Sequence, residues 1–380
     1  NEQYGKKYDL LCAEKVNSKY IQDIFRKEEW GYSELFFLTA KYNCNPNYAR
    51  YIKKLGIDDY AEEILAHLPI EDKVIFSAER VDKAIYDIRK KEIGLAIVVP
   101  TCNRIEVVKH WIHVLGKDAY RLGCDIVFYD GSDERHKSDF KTFLRKESLP
   151  NIRIVDSSEK VQGVLCNKIY AASIMALKLD EYRYIWMIRD RSIPNLSTIW
   201  HHIESIAKNK NDFAVVYPHF IETKFYGNSL YTDCRKLLKD WCGEMTSLGS
   251  IIFSREILEE LVSDYPVDST NYGLWLPMAL FHCIAYRPFQ AYFFSDGTFN
   301  FPYSGSFWIK NSTLLWLFAE RWNEMIDELP EVYNDVKEYV RQFEGWGIPP
   351  FSKALVMAAR AAHDVSLKNI VKYRSELKRC

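Results

Sequence analysis

Short apolar runs alternate with amphipathic segments through the middle of the chain. Leu95–Val99 form a near-continuous apolar run that stops at Pro100–Arg104, and Ile126–Tyr129 form a second run that stops at Asp130–Asp133. Apolar residues at helical spacing lie between the two runs. Buried strands that alternate with amphipathic helices are typical of an α/β fold with a mostly parallel central sheet. The pattern therefore predicts such a sheet, in which polar tips follow the carboxyl ends of the strands.

The same alternation continues along the chain and supplies a third polar tip. The apolar run Tyr184–Ile188 is followed by Arg189–Pro194. Further predicted strands are 152–155, 213–217, 250–253 and 290–294, and the main predicted helices are 105–122, 161–179, 196–207, 255–262 and 274–284. Because the strands of a parallel sheet deliver their carboxyl ends to one side, we expect the three tips to converge there.

Both ends of the chain have a helical pattern instead. We predict a helical N-terminal extension over residues 1–90, an α/β domain over 91–310 and a helical C-terminal region over 311–380. A chain of 380 residues is long enough for one large α/β domain with such additions. The helical ends are candidates for binding a protein partner, a second copy of the chain, a membrane surface or the core of the domain itself.

Composition limits the partners and the compartment. The formal net charge of −1 gives no electrostatic reason to expect nucleic acid as a partner. No apolar run approaches the roughly 18 residues that a spanning helix needs, and we expect neither a transmembrane segment nor a secretory leader. The nine cysteines are scattered singly, with no Cys-x-x-Cys pair, as expected of free thiols in a reducing compartment. We therefore expect a protein that is cytoplasmic or peripheral to a membrane.

The polar tips themselves indicate a kind of chemistry. None has the glycine-rich loop of a dinucleotide site or of a P-loop. A carboxylate at a strand end can accept hydrogen bonds from a base or a ribose, and a second carboxylate can hold a divalent ion that neutralises a diphosphate. Together the tips give the outline of a site for a nucleotide sugar.

The three tips in register resemble the family 2 glycosyltransferases of the GT-A fold. The matching segments are Val98–Arg104, Ile126–Asp133 and Tyr184–Pro194. The family pattern runs from a strand that ends in Pro-Thr-Tyr-Asn-Arg, through Asp-Asp-Gly-Ser-Thr-Asp, to an acidic Asp-x-Asp tip. The resemblance covers about residues 93–295. It implies a Rossmann-like GT-A domain that transfers a sugar from a nucleotide diphosphate, most simply UDP, to a hydroxyl of a glycan, a lipid-linked sugar or a protein, with inversion.

The resemblance also implies roles for single residues. Pro100 and Thr101 would contact the nucleoside, Asp130 would read the uracil or the ribose, and Lys168 would approach the diphosphate. The full set of implied donor-binding residues is Pro100, Thr101, Asn103, Arg104, Asp130, Ser132, Lys168, Asp190 and Arg191.

A divalent metal, Mn²⁺ or Mg²⁺, is the cofactor that the resemblance implies, with Asp190 and Ser192 in the positions of its ligands. Ser192 stands where the family has its second Asp, and the cation Arg189 precedes Asp190. One carboxylate binds a divalent ion more weakly than two do. Either the diphosphate supplies most of the metal's ligands, or Arg189 and Arg191 replace part of its charge.

Inverting members of the family use an Asp or Glu as general base on the acceptor hydroxyl. Thr270 and Asn271 stand at the approximate place of the family's acidic pair. Asp268 is the nearest carboxylate and is the predicted catalytic base, whereas Asp264 and Glu244, the latter expected on a loop, are the alternatives.

Structural roles remain open for the same residues. Asp130 and Gly131 are compatible with a simple turn, Asp190 with a cap on the following helix, and Arg104 with an exposed helix start. Three aromatic residues are candidates either for an acceptor groove or for the core: Trp275, Tyr303 and Trp308.

Two other functions compete with sugar transfer. The departures at Ser192 and near Asn271 are also what a degenerate domain that binds without catalysis would show. A sugar-nucleotide nucleotidyltransferase shares α/β architecture, but the first loop lacks the glycine-rich sequence that this class needs.

Overall fold

The computed structural model describes residues 78–147, 149–157, 165–179, 181–216, 228–266, 274–295, 299–300, 320–341 and 371–372. These residues belong to two compact units. One contains the described residues up to Glu92 together with Tyr120–Gly123, and the other contains Ile93–Ala119 and everything from Cys124 onward. Most of the predicted extension over residues 1–90 lies outside the described residues.

In the first unit, helix α1 (Ala78–Ile93) packs on the segment Tyr120–Gly123. The ring of Tyr86 stacks on that of Tyr120 with their centroids 4.7 Å apart, and Arg89 donates a hydrogen bond of 3.0 Å from Nη1 to the carbonyl of Arg121. Gly123 has a φ of +72°, and a Cβ there would lie 2.4 Å from the Cβ of Arg89. Both the conformation and the close approach therefore require glycine at this position.

The described part of the second unit contains ten short strands. They are β1 (Leu95–Thr101), β2 (Asp125–Asp130), β3 (Ile152–Asp156), β4 (Tyr184–Met187), β5 (Ile193–Pro194), β6 (Phe213–Val216), β7 (Ser229–Tyr231), β8 (Ile251–Ser254), β9 (Ala291–Phe294) and β10 (Phe299–Asn300). Eight form one sheet in the order β3-β2-β1-β4-β8-β6-β9-β7, and β5 pairs with β10 separately. β3, β2, β1 and β4 are mutually parallel, whereas β8 runs antiparallel to both of its neighbours. The predicted α/β fold with a mostly parallel central sheet is confirmed.

Helices connect these strands. They are α2 (Ile105–Trp111), α3 (Lys117–Arg121), α4 (Glu134–Glu147), α5 (Leu165–Leu177), α6 (Leu196–Asn209), α7 (Cys234–Met245), α8 (Arg255–Asp264), α9 (Trp275–Cys283), α10 (Trp322–Glu328) and α11 (Asn334–Arg341). The predicted continuous helix over 105–122 is divided by a π-helical turn, Ile112–Gly116. Among the described helices, none combines the length and the apolarity needed to cross a lipid bilayer.

Helix α7 is absent from the sequence-based prediction, although its signals are present. Asp233 caps it by accepting a hydrogen bond of 2.9 Å from the backbone N–H of Arg235, and apolar residues follow at helical spacing. Trp241 of this helix stacks on Phe293 of β9 with the ring centroids 3.8 Å apart. Its apolar face thus covers the sheet and forms part of the core.

The described part of the C-terminal region belongs to the same core. Trp322 and Met325 of α10 are buried, and the hydroxyl of Tyr333, between α10 and α11, donates a hydrogen bond of 2.7 Å to the carbonyl of Phe281. The sequence left several roles open for the helical ends. Residues 322–340 have one of them, because they pack on the domain itself.

Candidate functional site

The carboxyl edge of the parallel strands brings the three polar tips together. Thr101 of β1 stands opposite Asp130 of β2 in the parallel register. On the other side of β1, the backbone N–H of Ile188, just after β4, donates a hydrogen bond of 2.9 Å to the carbonyl of Val98. The convergence that the strand pattern predicts is therefore present.

The first two tips are joined by a hydrogen-bond chain that begins at Asp130. Its Oδ1 accepts hydrogen bonds from the hydroxyl of Ser132 and, at 2.9 Å, from the backbone N–H of Ser132. The Ser132 hydroxyl accepts one of 2.7 Å from the backbone N–H of Asn103, whose side-chain oxygen accepts one of 2.9 Å from the N–H of Asp133. Asn103 has a φ of +53°, which asparagine tolerates better than most residues. These bonds hold the two tips in one arrangement.

Two buried polar atoms at these tips have no hydrogen-bond partner within the described part of the chain. They are Oδ2 of Asp130, a residue that is 0% exposed, and Oγ1 of Thr101, which is 6% exposed. Leaving such groups unsatisfied costs free energy, about 1–3 kcal/mol for each. A simple turn at Asp130 and Gly131 does not explain why the chain bears that cost. A ligand that bonds to the Asp130 carboxylate and the Thr101 hydroxyl would explain it.

The third tip is anchored to helix α2. Arg104, the N-cap residue of α2, donates from Nη1 to both carboxylate oxygens of Asp190, at 2.8 and 2.7 Å. Trp111, at the end of α2 and fully buried, donates a hydrogen bond of 2.6 Å from Nε1 to the Asp190 carbonyl. The side chain of Arg104 is 39% exposed and that of Asp190 is 10% exposed. Arg104 thus stands at a helix start and is also an ion-pair partner of the acidic tip.

The residues around Asp190 are cationic. Arg189 donates a hydrogen bond of 3.2 Å from Nε to the hydroxyl of Ser192, which is buried. Burial lowers the pKa of Arg189, and the neighbouring Asp190 carboxylate offsets part of that effect. Helix α6 is not capped by Asp190, because Asn195 occupies its N-cap position. The open interpretation of Asp190 as a helix cap is therefore wrong.

The architecture of the second unit can be compared with solved structures. A crystal structure of S. aureus TarS 1–349 is 11% identical over 75% of this chain and 79% of that chain, with a TM-score of 0.50. The structure of the same fragment in complex with UDP is 12% identical over the same shares, also with a TM-score of 0.50. The chain has the GT-A fold. At such low identity, the similarity shows the GT-A fold alone.

Other comparisons add no finer detail about this GT-A chain. A mannosyltransferase from Pyrobaculum calidifontis, in complex with GDP-Man and Mn²⁺, is 14% identical over 90% of each chain, but its TM-score of 0.46 is too low to carry an argument. No family model matches the sequence, and no curated protein matches it either. Membership of family 2 therefore remains a prediction.

The acidic tip of the GT-A domain offers a poor set of ligands for a divalent metal. Mn²⁺ and Mg²⁺ prefer several oxygen ligands, with carboxylates among them. Here the carboxylate of Asp190 is ion-paired with Arg104, and the Ser192 hydroxyl accepts a hydrogen bond from a guanidinium. No group of three metal-ligating His, Cys, Asp or Glu side chains occurs in the described ranges. As arranged here, Asp190 and Ser192 do not fit the ion, and their metal role stays a prediction.

The other predicted site residues have mixed outcomes. Pro100 precedes Thr101, the last residue of β1, and Arg191 follows Asp190 in the third tip. Lys168 lies in the first turn of α5, the helix that follows β3 in the chain, but its side chain is outside the described part. Asp268, the predicted base, also lies outside the described residues.

The two alternatives to Asp268 lie within the described residues. Asp264 is the exposed last residue of α8. Glu244, expected on a loop, lies instead in the last turn of helix α7 and is buried. Trp275 is fully buried in the core and donates to the carbonyl of Tyr265, so of its two open roles the structure gives it the one in the core. The other two aromatic candidates, Tyr303 and Trp308, are outside the described residues.

Two residues that support the site escaped the sequence analysis. Trp111 fixes the backbone of the third tip, and its only sequence signal is its helical spacing from Arg104. Gly249 has a φ of +107°, and its carbonyl accepts a hydrogen bond of 2.8 Å from Nε1 of Trp186. A Cβ at Gly249 would lie 3.7 Å from Ile188. The segment that joins α7 to β8 therefore lies beside the third tip.

Proposed function

We propose that this chain is a glycosyltransferase that moves a sugar from a nucleotide diphosphate, most simply UDP, to a hydroxyl acceptor. The observation that carries the proposal is Oδ2 of Asp130, which is buried, has no hydrogen-bond partner among the described residues, and lies at the same edge of a GT-A sheet as the cationic third tip. The carboxylate offers an acceptor to a nucleoside, and the arginines offer charge to a diphosphate.

The proposed reaction is a displacement at the anomeric carbon of the sugar. The acceptor oxygen forms the new bond to this carbon, and the old bond to the diphosphate oxygen breaks with its electron pair staying on the diphosphate. A carboxylate base, predicted to be Asp268, takes the proton of the acceptor hydroxyl. Attack from the face opposite the leaving group inverts the anomeric centre. The proposed acceptor is a glycan, a lipid-linked sugar or a protein.

UDP is expected to stabilise the protein against heat, which tests the proposal before any acceptor is known. A ligand that binds the folded state at 100 times its Kd adds about 2.7 kcal/mol to the free energy of unfolding. The measurement is a thermal-shift screen of UDP, GDP, UDP-sugars and GDP-sugars, each with and without Mn²⁺. Uridine, which lacks the diphosphate, is the control and is expected to give a much smaller shift. If no nucleotide raised the melting temperature under any condition, sugar-nucleotide binding would be excluded.

Cys102 is expected to become protected from alkylation when UDP binds. It lies in the first tip, is partly exposed, and donates from Sγ to the carbonyl of Gly131 at 3.3 Å. A nucleoside seated on Thr101 and Asp130 would cover it. Mass spectrometry of tryptic peptides would measure its alkylation rate with and without UDP.

Cys283 is the matched internal control for this experiment. It is also partly exposed, but it lies in α9, and burial raises its pKa to about 12. Its slow alkylation should not respond to UDP. Equal protection at both cysteines would indicate a global effect on stability, and no protection at Cys102 would count against this placement of the nucleoside.

A binding domain without catalysis is the second candidate. The specific observation in its favour is Ser192, which stands at the second acidic position and is engaged by Arg189. UDP binding without release of UDP from any UDP-sugar, over a broad panel of acceptors, would favour this candidate over the transferase. We also propose that the protein acts in the cytoplasm or at a membrane surface, where free thiols persist.

A further inference from the structure

The acidic tip already holds a cation that belongs to the protein. One guanidinium nitrogen of Arg104 bonds to both oxygens of Asp190, and the two residues are 86 positions apart in the chain. A metal ion bound to the Asp190 carboxylate would have to displace this guanidinium or share the carboxylate with it. Arg104 thus occupies the position beside the Asp190 carboxylate that a divalent ion would need.

Arg104 is held in place from several directions. Its carbonyl accepts the backbone N–H groups of Val107 and Val108, at 3.1 and 3.2 Å, at the start of α2. The preceding residue, Asn103, is bonded to Ser132 of the second tip. Trp111 of the same helix binds the Asp190 carbonyl. The ion pair therefore joins the first tip to the third tip, and hydrogen bonds anchor the backbone at both partners.

The Arg104 guanidinium also has N–H donors left for a ligand. Nε and Nη2 of Arg104 make no hydrogen bond in the described part of the chain, and the side chain is 39% exposed. Arginine presents its donors in a planar fork that matches phosphate oxygens. One edge of the Arg104 fork thus binds Asp190, and the rest remains available to an anion.

The local charge favours a diphosphate over a metal ion. Arg104, Arg189 and Arg191 carry three positive charges and Asp190 carries one negative charge, so these four side chains have a formal charge of +2. The guanidinium of Arg104, bonded to the Asp190 carboxylate, would repel a divalent cation there, whereas it would attract the negative charge on the phosphates of a sugar nucleotide. The third tip is complementary to the anion itself.

We propose that Arg104, oriented by Asp190, binds the diphosphate of the donor in place of a divalent metal, so that the chain binds nucleoside diphosphates without one. This inference rests on the proposed function. As the bond from the anomeric carbon to the diphosphate breaks, the electron pair remains on the diphosphate oxygen. The N–H groups of Arg104 stabilise that charge. Asp190 is then a positioning residue for Arg104 rather than a metal ligand.

Calorimetric titration of UDP into the full chain tests this role. Wild-type protein is expected to bind UDP in EDTA with a Kd less than about tenfold different from that in Mn²⁺. Arg104→Ala is expected to weaken binding in EDTA by at least about tenfold, because a charge-assisted contact to phosphate is lost. Arg104→Gln, which keeps much of the side-chain length, should show the same loss if Arg104→Ala does not fold.

Lys109→Ala is the matched control. Lys109 lies on the same helix, is 40% exposed and also has a carboxylate partner, Glu106, yet it is not part of the tip. Its removal is expected to leave the Kd for UDP unchanged. Circular dichroism and melting curves establish that each variant is folded.

The failures of the two proposals are distinguishable. If wild-type protein bound UDP at least about tenfold more weakly in EDTA than in Mn²⁺, or if folded Arg104 variants bound like wild type, the role of Arg104 would be overturned while nucleotide binding stood. If wild-type protein bound neither UDP nor GDP, with or without Mn²⁺, the proposed function itself would fail.

Discussion

Asp190→Ala is expected to lower kcat/KM for sugar transfer by about 10²- to 10³-fold. The carboxylate is the observed partner of Arg104, with both of its oxygens bonded to Nη1. Without it, the guanidinium loses the contact that orients it, and charge that develops on the leaving diphosphate is less well stabilised. Steady-state kinetics with a UDP-sugar and the acceptor found by screening provide the measurement.

The Asp190 backbone should tolerate this substitution. The carbonyl that Trp111 binds is main chain and is retained in the variant. Glu106→Gln is the control, because Glu106 is an exposed carboxylate of α2 whose side chain is 76% exposed. Unchanged kinetics in a folded Asp190→Ala variant would remove Asp190 from the mechanism.

A double-mutant cycle separates positioning from independent action. If Asp190 acts through Arg104, the double variant Arg104→Ala/Asp190→Ala should lose little more activity than either single variant, because each removes the same contact. Additive losses would show that Asp190 has a separate partner in the transition state. Both single variants should be compared in EDTA and in Mn²⁺. The effect of Asp190→Ala alone does not show whether Asp190 acts through the Arg104 guanidinium or through a divalent metal.

Asp130→Ala is expected to weaken UDP binding by about 10- to 100-fold, because a charged hydrogen bond contributes about 1.5–3 kcal/mol. The basis is Oδ2, which is buried and has no partner in the described residues. The same substitution should also lower the free energy of unfolding by about 1–3 kcal/mol, since the N–H and hydroxyl of Ser132 lose their acceptor. Calorimetry measures the first effect and urea unfolding the second.

Two further variants make the Asp130 experiment specific. Asp130→Asn keeps an oxygen acceptor for Ser132, so it should recover much of the stability while still binding UDP less tightly. Asp139→Ala removes an exposed carboxylate from α4, the helix that follows the second tip, and should change neither quantity. Wild-type affinity for UDP in folded Asp130→Ala would contradict the assignment of Asp130 to the nucleoside.

The sequence by itself determined the four parallel strands and the three tips. β1, β2 and β4 are short buried runs, β3 is a short run that is only partly buried, and each has a turn-forming end. Such signals are local. Asp130 is the clearest case, because an acidic residue at the end of a buried strand is visible without any tertiary information. Helix α7 had equally local signals, in the cap at Asp233 and the spacing that follows it, and they were missed.

Only the tertiary structure decided which side chains meet at the site. The antiparallel insertion of β8 between β4 and β6 depends on pairing between distant segments, for which periodicity has no signal. The same holds for the contact between Arg104 and Asp190, and for the bond from Trp111 that fixes it. This ion pair joins residues 86 positions apart, one at the start of α2 and the other just after β4. The sequence therefore predicted an acidic tip, whereas the fold showed that a guanidinium occupies it.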